Sequence, residues 1–207
     1  MRPLSIISAL LFLLVVGSEP VRGKDLVGIP VPSPFDKGTW EVGLTAGYLY
    51  SPVFATSHRP TFAYLQQDLT VGLMLTSPGG SGILRGNWEV LLNAAVAEVL
   101  NGPGNYLAGG RVLFRYNFVQ ENARWVPFIQ VGAGGLASDA YRDHSQRILG
   151  SAFSFTHVGD IGLRYMINSR WSVMVMLDYE HISNANSANR NLGVNAVGGM
   201  IGISTFY

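Results

Sequence analysis

The chain contains no cysteine, and this absence excludes several kinds of chemistry at once. Without thiols the protein has no disulfide framework, no cysteine nucleophile and no cysteine ligand for a metal ion. A lipid anchor attached through cysteine is excluded for the same reason.

Charge is also scarce. Charged residues are 13% of the chain, about half of the roughly 25% that soluble domains usually carry. The sequence has neither a basic stripe nor a nucleic-acid-binding motif, so nothing in it would attract nucleic acid electrostatically. Such a composition is unusual for a soluble exported domain.

The longest uncharged apolar run lies at the start of the chain. It covers residues 4–16, follows Arg2 and precedes a stretch of small residues that ends at Gly23. This order predicts a signal peptide over residues 1–23, with cleavage after Gly23. An uncleaved anchor is the alternative, but the run is too short to span a bilayer well as a helix. Removal of residues 1–23 takes two basic residues and one acidic residue, so the formal charge falls from +1 to zero.

Beyond residue 23 no run of 18 uncharged apolar residues occurs, so the sequence offers no spanning helix. Lipid admits only helices and closed barrels, because backbone groups have no water to bond there. The sequence therefore predicts an all-β protein, an eight-stranded antiparallel transmembrane β-barrel of the bacterial outer membrane. We expect a Pro-rich periplasmic segment at residues 24–38 and the barrel at residues 39–207.

Eight segments have the alternation of strands, and most have about the roughly 9–11 residues that a tilted strand needs to cross a bilayer. The third places Trp88 and Leu92 on one face and Glu89 and Asn93 on the other. An apolar outer face with aromatic ends and a polar inner face is typical of outer-membrane barrels. The predicted strands lie approximately at 39–50, 62–75, 83–98, 106–118, 125–137, 152–166, 171–183 and 195–207.

A soluble lipocalin-like barrel, with its apolar face inward, is the alternative fold. Such a barrel would have to bury an unusual number of large aromatic side chains. Short periplasmic turns and longer external loops are the outer-membrane pattern, and they place the loop at 184–194 outside. The predicted tight turns are 77–82, 120–124 and 168–170, and the mostly longer loops are 51–60, 101–105, 140–150 and 184–194.

Charged residues on the polar faces are predicted to pair inside the barrel, because buried charges need partners. We expect this network rather than acid–base chemistry by Asp178 and Glu180. No histidine spacing resembles a metal site, and the glycines at 132–135 lack the helix and acidic partner of a phosphate cradle, so neither a metal nor a cofactor is expected. The residues that share the predicted interior face are Arg85, Glu89, Arg111, Arg115, Asp160, Arg164, Asp178 and Glu180.

His181 and Ser183 are the candidates for chemistry. Residues two apart on a strand share a face, and these two share the apolar face of the seventh predicted strand. Positions i and i+2 lie about 6.6 Å apart along a strand. Two bent side chains can close that distance to the hydrogen bond of about 2.6–3.2 Å that a base and a nucleophile need. His157 has the same outward parity and is either a surface residue or part of a substrate groove.

The stretch from Glu180 to Asn195 resembles the signature of the outer-membrane lipid A 3-O-deacylase family. The residues that match its pattern, His-x-Ser-Asn-Ala followed by Asn-x-Gly, are His181, Ser183, Asn184, Ala185, Asn191 and Gly193. The resemblance implies a serine esterase that hydrolyses an ester-linked acyl chain of lipid A, with Ser183 as nucleophile and His181 as general base. It also implies that Asn184 and Asn191 help to stabilise an oxyanion. Lipid A, or lipopolysaccharide, is then the partner at the outer leaflet, and a homodimer is left open.

Asn195 departs from this pattern. It occupies the position where the resemblance implies a glutamate that orients the base, and Leu192 stands where the family often has proline. An amide can hold an imidazole in place but gives no charge to an imidazolium. The second hypothesis is therefore a catalytically weak or inactive structural or adhesive barrel that keeps the motif.

Overall fold

A computed structural model describes residues 33–51 and 61–207. The predicted signal peptide at 1–23, most of the predicted periplasmic segment, and residues 52–60 of the first loop lie outside the described residues.

Eight antiparallel strands close into one barrel, in which each strand pairs with the next and the last pairs with the first. The predicted fold class is thereby confirmed. Among the described residues, no helix is long and apolar enough to cross a membrane. The strands are β1 (Trp40–Ser51), β2 (Phe62–Met74), β3 (Asn87–Asn101), β4 (Tyr106–Asn117), β5 (Trp125–Ser138), β6 (Phe153–Met166), β7 (Trp171–Ser183) and β8 (Val194–Phe206).

Side chains alternate between the interior and the outer surface along every strand, as a period of two requires. On β7, Met174 and Met176 are buried, whereas Val175 and Leu177 are 53% and 71% exposed. Large apolar side chains cover the outside of the whole barrel, and a lipocalin-like fold would bury them. The soluble alternative is therefore wrong, and the apolar-out, polar-in pattern of a membrane barrel is present.

The two ends of the barrel carry aromatic side chains on the outer surface. We call the end where β1 begins and β8 ends the near end, and the opposite end the far end. Exposed aromatics lie at both ends, as in the girdles of membrane barrels. They include Trp40, Trp88, Trp125 and Tyr207 at the near end, and Tyr50, Tyr106, Phe153 and Phe155 at the far end.

The beginning of β3 differs from the sequence prediction. The strand starts at Asn87 rather than at residue 83, and Gly82–Leu84 form a 3-10 turn. Gly79 and Gly86 exchange backbone hydrogen bonds of 2.9 and 3.0 Å, which close this turn before the strand begins. Arg85 consequently lies outside the barrel interior and donates to the carbonyl of Val119 at 2.5 Å, so its predicted place in the interior network is wrong.

Connection lengths follow the predicted alternation only in part. The β2–β3 connection at 75–86, predicted to be tight, is long, and the β3–β4 connection at 102–105, at the far end, is short. Gly102 and Gly104 have φ values of 113° and 83°, a region that favours glycine and permits this tight turn.

Ion pairs lie in the interior, as the polar faces predicted, although among the described residues Asp160 and Asp178 take part in none of them. Arg115 lies 3.4 Å from Glu41 and 3.3 Å from Glu89, and Arg164 lies 2.8 Å from Glu41. All of these side chains are at most 2% exposed, so each charge is compensated by a partner rather than by water.

A second polar cluster lies in the half of the barrel toward the far end. Glu180 pairs with Arg111 at 2.9 Å and accepts hydrogen bonds from Tyr64 Oη at 2.8 Å and Thr156 Oγ1 at 2.6 Å. Its carboxylate is therefore committed to the interior.

The described end of the N-terminal segment folds across the near end. Phe35 is 3% exposed, and its ring centroid lies 5.8 Å from that of Phe206. Asn87 Nδ2 donates to the Phe35 carbonyl at 3.0 Å. Residues 33–38 thus close the interior at the end opposite the candidate site.

Candidate active site

Three of the predicted site residues lie on the outer surface at the far end, where β6, β7 and β8 are neighbours. His181 pairs with Asn195 of β8 on one side and with His157 of β6 on the other. His181, Ser183 and Asn195 are half-buried and face outward, whereas Ile182 between them is fully buried. The strand register thus brings three of the predicted residues to one outward-facing patch.

A short hydrogen bond links His181 to Asn195. Nδ1 of the imidazole lies 2.7 Å from Oδ1 of the amide. An amide oxygen only accepts, so the ring carries a proton on Nδ1, and in its neutral form it keeps a lone pair on Nε2. A histidine in that tautomer can accept a proton at Nε2. Among the described residues no hydrogen bond joins His181 to Ser183.

Tyr179 is a member of the site that sequence reasoning missed. Its hydroxyl donates to Oδ1 of Asn195 at 3.0 Å, so this oxygen receives bonds from both Tyr179 and His181. The available signal was parity, since Tyr179 lies two residues before His181 on the same face. Its diagonal contact with Asn195 depends on the β7–β8 register, which the sequence alone does not give.

The predicted oxyanion residues bond within the loop at 184–193. Asn191 Oδ1 accepts the backbone N–H of Asn184 at 2.7 Å, and Asn191 Nδ2 donates to Asn186 Oδ1 at 3.0 Å. Asn184 is 1% exposed, and its Nδ2 donates to the carbonyl of Arg190 at 3.0 Å. Both amide groups hold the loop in shape, and their predicted oxyanion role remains a prediction.

Gly193 ends this loop beside both candidate side chains. Its φ is 69°, and a Cβ there would lie 3.0 Å from the carbonyl oxygen of Ile182. The same Cβ would lie 3.6 Å from Cε1 of His181 and 3.6 Å from Cβ of Ser183. Glycine thus supplies the backbone conformation and leaves open the space next to the pair.

A neighbouring loop, 139–152, holds the site loop in place. The backbone N–H groups of Leu192 and Gly193 each donate at 3.0 Å to that loop. Arg190 donates to the carbonyls of Asp143 at 2.5 Å, Tyr141 at 2.8 Å and Gln146 at 3.3 Å. A guanidinium presents several donors in a fixed plane, which suits the capture of several carbonyls.

Asp139 fastens the start of loop 139–152 to the neighbouring β3–β4 turn. Its carboxylate accepts the backbone N–H and Nδ2 of Asn105, both at 2.7 Å. Burial alone raises the pKa of this carboxyl, but these hydrogen bonds outweigh burial and hold the pKa below its usual value.

Within residues 33–51 and 61–207, no carboxylate lies in the outward patch. Asp178 and Glu180, the acids nearest to His181 along β7, are 5% and 0% exposed and point into the barrel, as their parity predicted. The group that contacts Nδ1 of His181 is the neutral amide of Asn195.

A closed antiparallel barrel with an apolar exterior and a polar interior defines an outer-membrane β-barrel. Within that class, the family model for lipid A 3-O-deacylase (PagL) matches residues 79–204, and the chain belongs to this family. The resemblance seen in the sequence is confirmed. The family consists of hydrolases that act on lipid A, and membership together with the apolar exterior places the chain in the bacterial outer membrane.

Solved structures of three outer-membrane proteins have a similar fold. The outer membrane enzyme PagL is 18% identical, with a TM-score of 0.56 over 78% of this chain and 97% of its own. OprG from Pseudomonas aeruginosa is 16% identical, with a TM-score of 0.54 over 85% of this chain and 99% of its own. Neisserial surface protein A is 12% identical, with a TM-score of 0.56 over 83% of this chain and 100% of its own.

At these identities the solved structures show a shared fold only. Statements about chemistry rest on the family match and on the site geometry. A comparison with curated proteins gave no match. None of these comparisons supports the homodimer that the sequence analysis left open.

Proposed function

We propose that this protein is a serine esterase that hydrolyses an ester-linked acyl chain of lipid A at the 3-position, at the outer leaflet of the outer membrane. The observation that carries the proposal is the 2.7 Å bond between His181 Nδ1 and Asn195 Oδ1, on an outward face two residues from Ser183. That bond leaves Nε2 of His181 as the lone pair that a general base needs.

Ser183 Oγ attacks the ester carbonyl carbon while its proton passes to Nε2 of His181. The tetrahedral intermediate collapses, the bond to the sugar oxygen breaks, and His181 returns the proton to that leaving oxygen. An acyl group then remains on Ser183. Water, deprotonated by His181, attacks the acyl-serine and releases the fatty acid and the free hydroxyl of Ser183.

The surface around Ser183 suits an acyl chain. Phe155 of β6 lies directly opposite Ser183, and both Phe155 and Phe153 are exposed to the outside. Their ring centroids lie 5.3 Å apart in an edge-on arrangement, so they form one continuous apolar surface beside the hydroxyl. An acyl chain of a membrane lipid can lie along that surface without leaving the bilayer.

The Ser183 hydroxyl and the His181 imidazole can be brought together by rotation of the two side chains. The two residues share a face, and catalytic hydrogen bonds are often long in unliganded enzymes and tighten when substrate binds. Asn184 and Asn191 fix the backbone conformation after Ser183, because their side-chain amides form hydrogen bonds within the loop. Side-chain donation to an oxyanion would require one of these bonds to be exchanged.

The second candidate function is a structural or adhesive barrel with little or no activity. Asn195 is the observation that favours it, since a carboxylate stabilises an imidazolium and an amide does not. The two candidates differ in whether lipid A changes when the protein is made.

The test is mass spectrometry of lipid A from cells that produce the parent chain or Ser183→Ala. We expect loss of one 3-linked acyl chain with the parent and intact lipid A with Ser183→Ala. Ser187→Ala is the matched control, because Ser187 lies exposed in the same loop, and it should deacylate like the parent. Identical acylation with and without the parent chain, at equal amounts of folded barrel, would overturn the esterase in favour of the structural barrel.

A further inference from the structure

A second histidine faces His181 across the β6–β7 pair. His157 lies directly opposite His181, and the two ring centroids are 6.1 Å apart with an interplanar angle of 39°. His157 is exposed on the outer surface, whereas His181 is half-buried. The proposed mechanism uses only His181 and gives His157 no part in the reaction.

The spacing of the rings fits one shared metal ion. A zinc–imidazole bond is about 2.0–2.1 Å long, which puts each ring centroid roughly 3.2 Å from the ion and allows two centroids up to about 6.4 Å apart. The observed 6.1 Å lies within that limit. At that spacing the two bonds would meet at roughly 145° at the ion, so the exposed His157 ring must move about 0.9 Å toward His181 to reach a tetrahedral angle.

Asn195 prepares His181 for this role as well as for catalysis. Histidines that bind metals usually donate their other ring N–H to an oxygen, which fixes the tautomer and the ring orientation. Here Nδ1 is bonded to Asn195 Oδ1 at 2.7 Å, so Nε2 is the nitrogen left for a metal.

The surroundings select the kind of ion. The described part of the outward patch holds no carboxylate. Ca²⁺ and Mg²⁺ prefer oxygen ligands, whereas imidazole suits Zn²⁺ and Cu²⁺. Among the described residues no three potential ligands cluster, so solvent must complete the coordination.

We propose that His157 and His181 form a two-histidine binding site for Zn²⁺ or Cu²⁺ on the outer surface of the barrel. An ion at this site takes the Nε2 lone pair of His181, so it competes with deprotonation of Ser183. Binding stands on the histidine geometry alone, whereas inhibition of deacylation rests on the proposed function.

The experiment uses the full chain without a histidine tag, folded in detergent micelles. Zn²⁺ binding is measured by calorimetry, and Cu²⁺ coordination by the nitrogen couplings in its electron paramagnetic resonance spectrum. His157→Ala and the more conservative His157→Gln should each weaken binding at least tenfold. His144→Ala is the control, because His144 is an exposed histidine outside β6 and β7, and this variant should bind like the parent.

Inhibition is read against each variant's own metal-free rate of lipid A deacylation. The Zn²⁺ concentration that halves this rate should rise at least tenfold in His157→Gln. Equal metal affinity in the parent and both folded His157 variants would overturn the site. Tight binding that depends on His157, in a protein that never deacylates lipid A, would support the site and refute the proposed esterase.

Discussion

The side-chain oxygen of Asn195 accepts two hydrogen bonds, whereas a carboxylate would have two oxygen atoms to accept them. It accepts from His181 at 2.7 Å and from Tyr179 at 3.0 Å. A phenol is a better donor than acceptor, so Tyr179 favours the amide orientation in which the oxygen faces His181. The orientation of the His181 ring, the proposed base, is thereby fixed, but the amide supplies no negative charge to stabilise an imidazolium.

Replacement of Asn195 by glutamate is expected to raise the rate of deacylation by at least tenfold. In a serine protease the exchange of the acid for its amide costs about 10⁴ in turnover. The gain here should be smaller, because glutamate is one methylene longer than the asparagine that already lies at bonding distance, and its side chain must bend. Release of 3-hydroxy fatty acid from purified lipid A gives the rate.

Asn195→Ala is the matched variant and should lower the rate, since it leaves His181 without its partner on β8. If Asn195→Glu and Asn195→Ala both left the rate unchanged while Ser183→Ala abolished it, residue 195 would have no part in orienting the base.

The loop at 184–193 is shaped by a neighbour that is distant in sequence. Arg190 reaches three carbonyls of loop 139–152, and Leu192 and Gly193 bond to the same loop through their backbone. Loops of this kind open locally when such contacts are few. We therefore expect the contacts with loop 139–152 to restrain the segment between Ser183 and Asn195.

Arg190→Gln is expected to lower deacylation several-fold while the barrel stays folded. Glutamine cannot span three carbonyl groups, so the site loop should exchange its amide hydrogens faster near Asn191. Hydrogen exchange read by mass spectrometry measures this directly. Arg142→Gln, at an exposed position of loop 139–152, serves as control and should leave the exchange of 184–193 unchanged. Unaltered exchange in Arg190→Gln would show that the backbone contacts of Leu192 and Gly193 hold the loop by themselves.

The alternation of apolar and polar residues in the sequence predicted most of the strands and the face on which each side chain lies. The sequence placed β7 at residues 171–183 and put His181 on the outer face, because a period of two is visible in one strand. The predicted start of β3 was wrong. The strand begins only after the Gly79–Gly86 bridge, and the residues of that bridge belong to no apolar pattern that the sequence could reveal. The contacts of Arg190 and Tyr179 with distant partners could not be predicted either, because they depend on which strands and loops become neighbours in space.

The barrel as a whole is a polar interior inside an apolar exterior, the reverse of a soluble protein. Ion pairs lie in its interior, and Glu41 takes part in two of them because it contacts both Arg115 and Arg164. Arg115 has Glu89 as a second partner, at 3.3 Å. Arg164 has no other carboxylate within salt-bridge distance among the described residues, although its guanidinium lies 5.1 Å from the ring centroid of Phe206.

Glu41→Gln should therefore lower the free energy of unfolding by about 3 kcal/mol, the lower end of the range for loss of one partner of a buried ion pair. Glutamine keeps a hydrogen-bond acceptor but leaves the charge of Arg164 uncompensated. Urea unfolding of the barrel in lipid vesicles, followed by tryptophan fluorescence, measures the change. Glu98→Gln is the matched control, because Glu98 is exposed on β3, and it should shift the free energy by at most about 0.5 kcal/mol. Equal stability of the two variants would mean that water or the rings of Phe35 and Phe206 compensate Arg164 as well as Glu41 does.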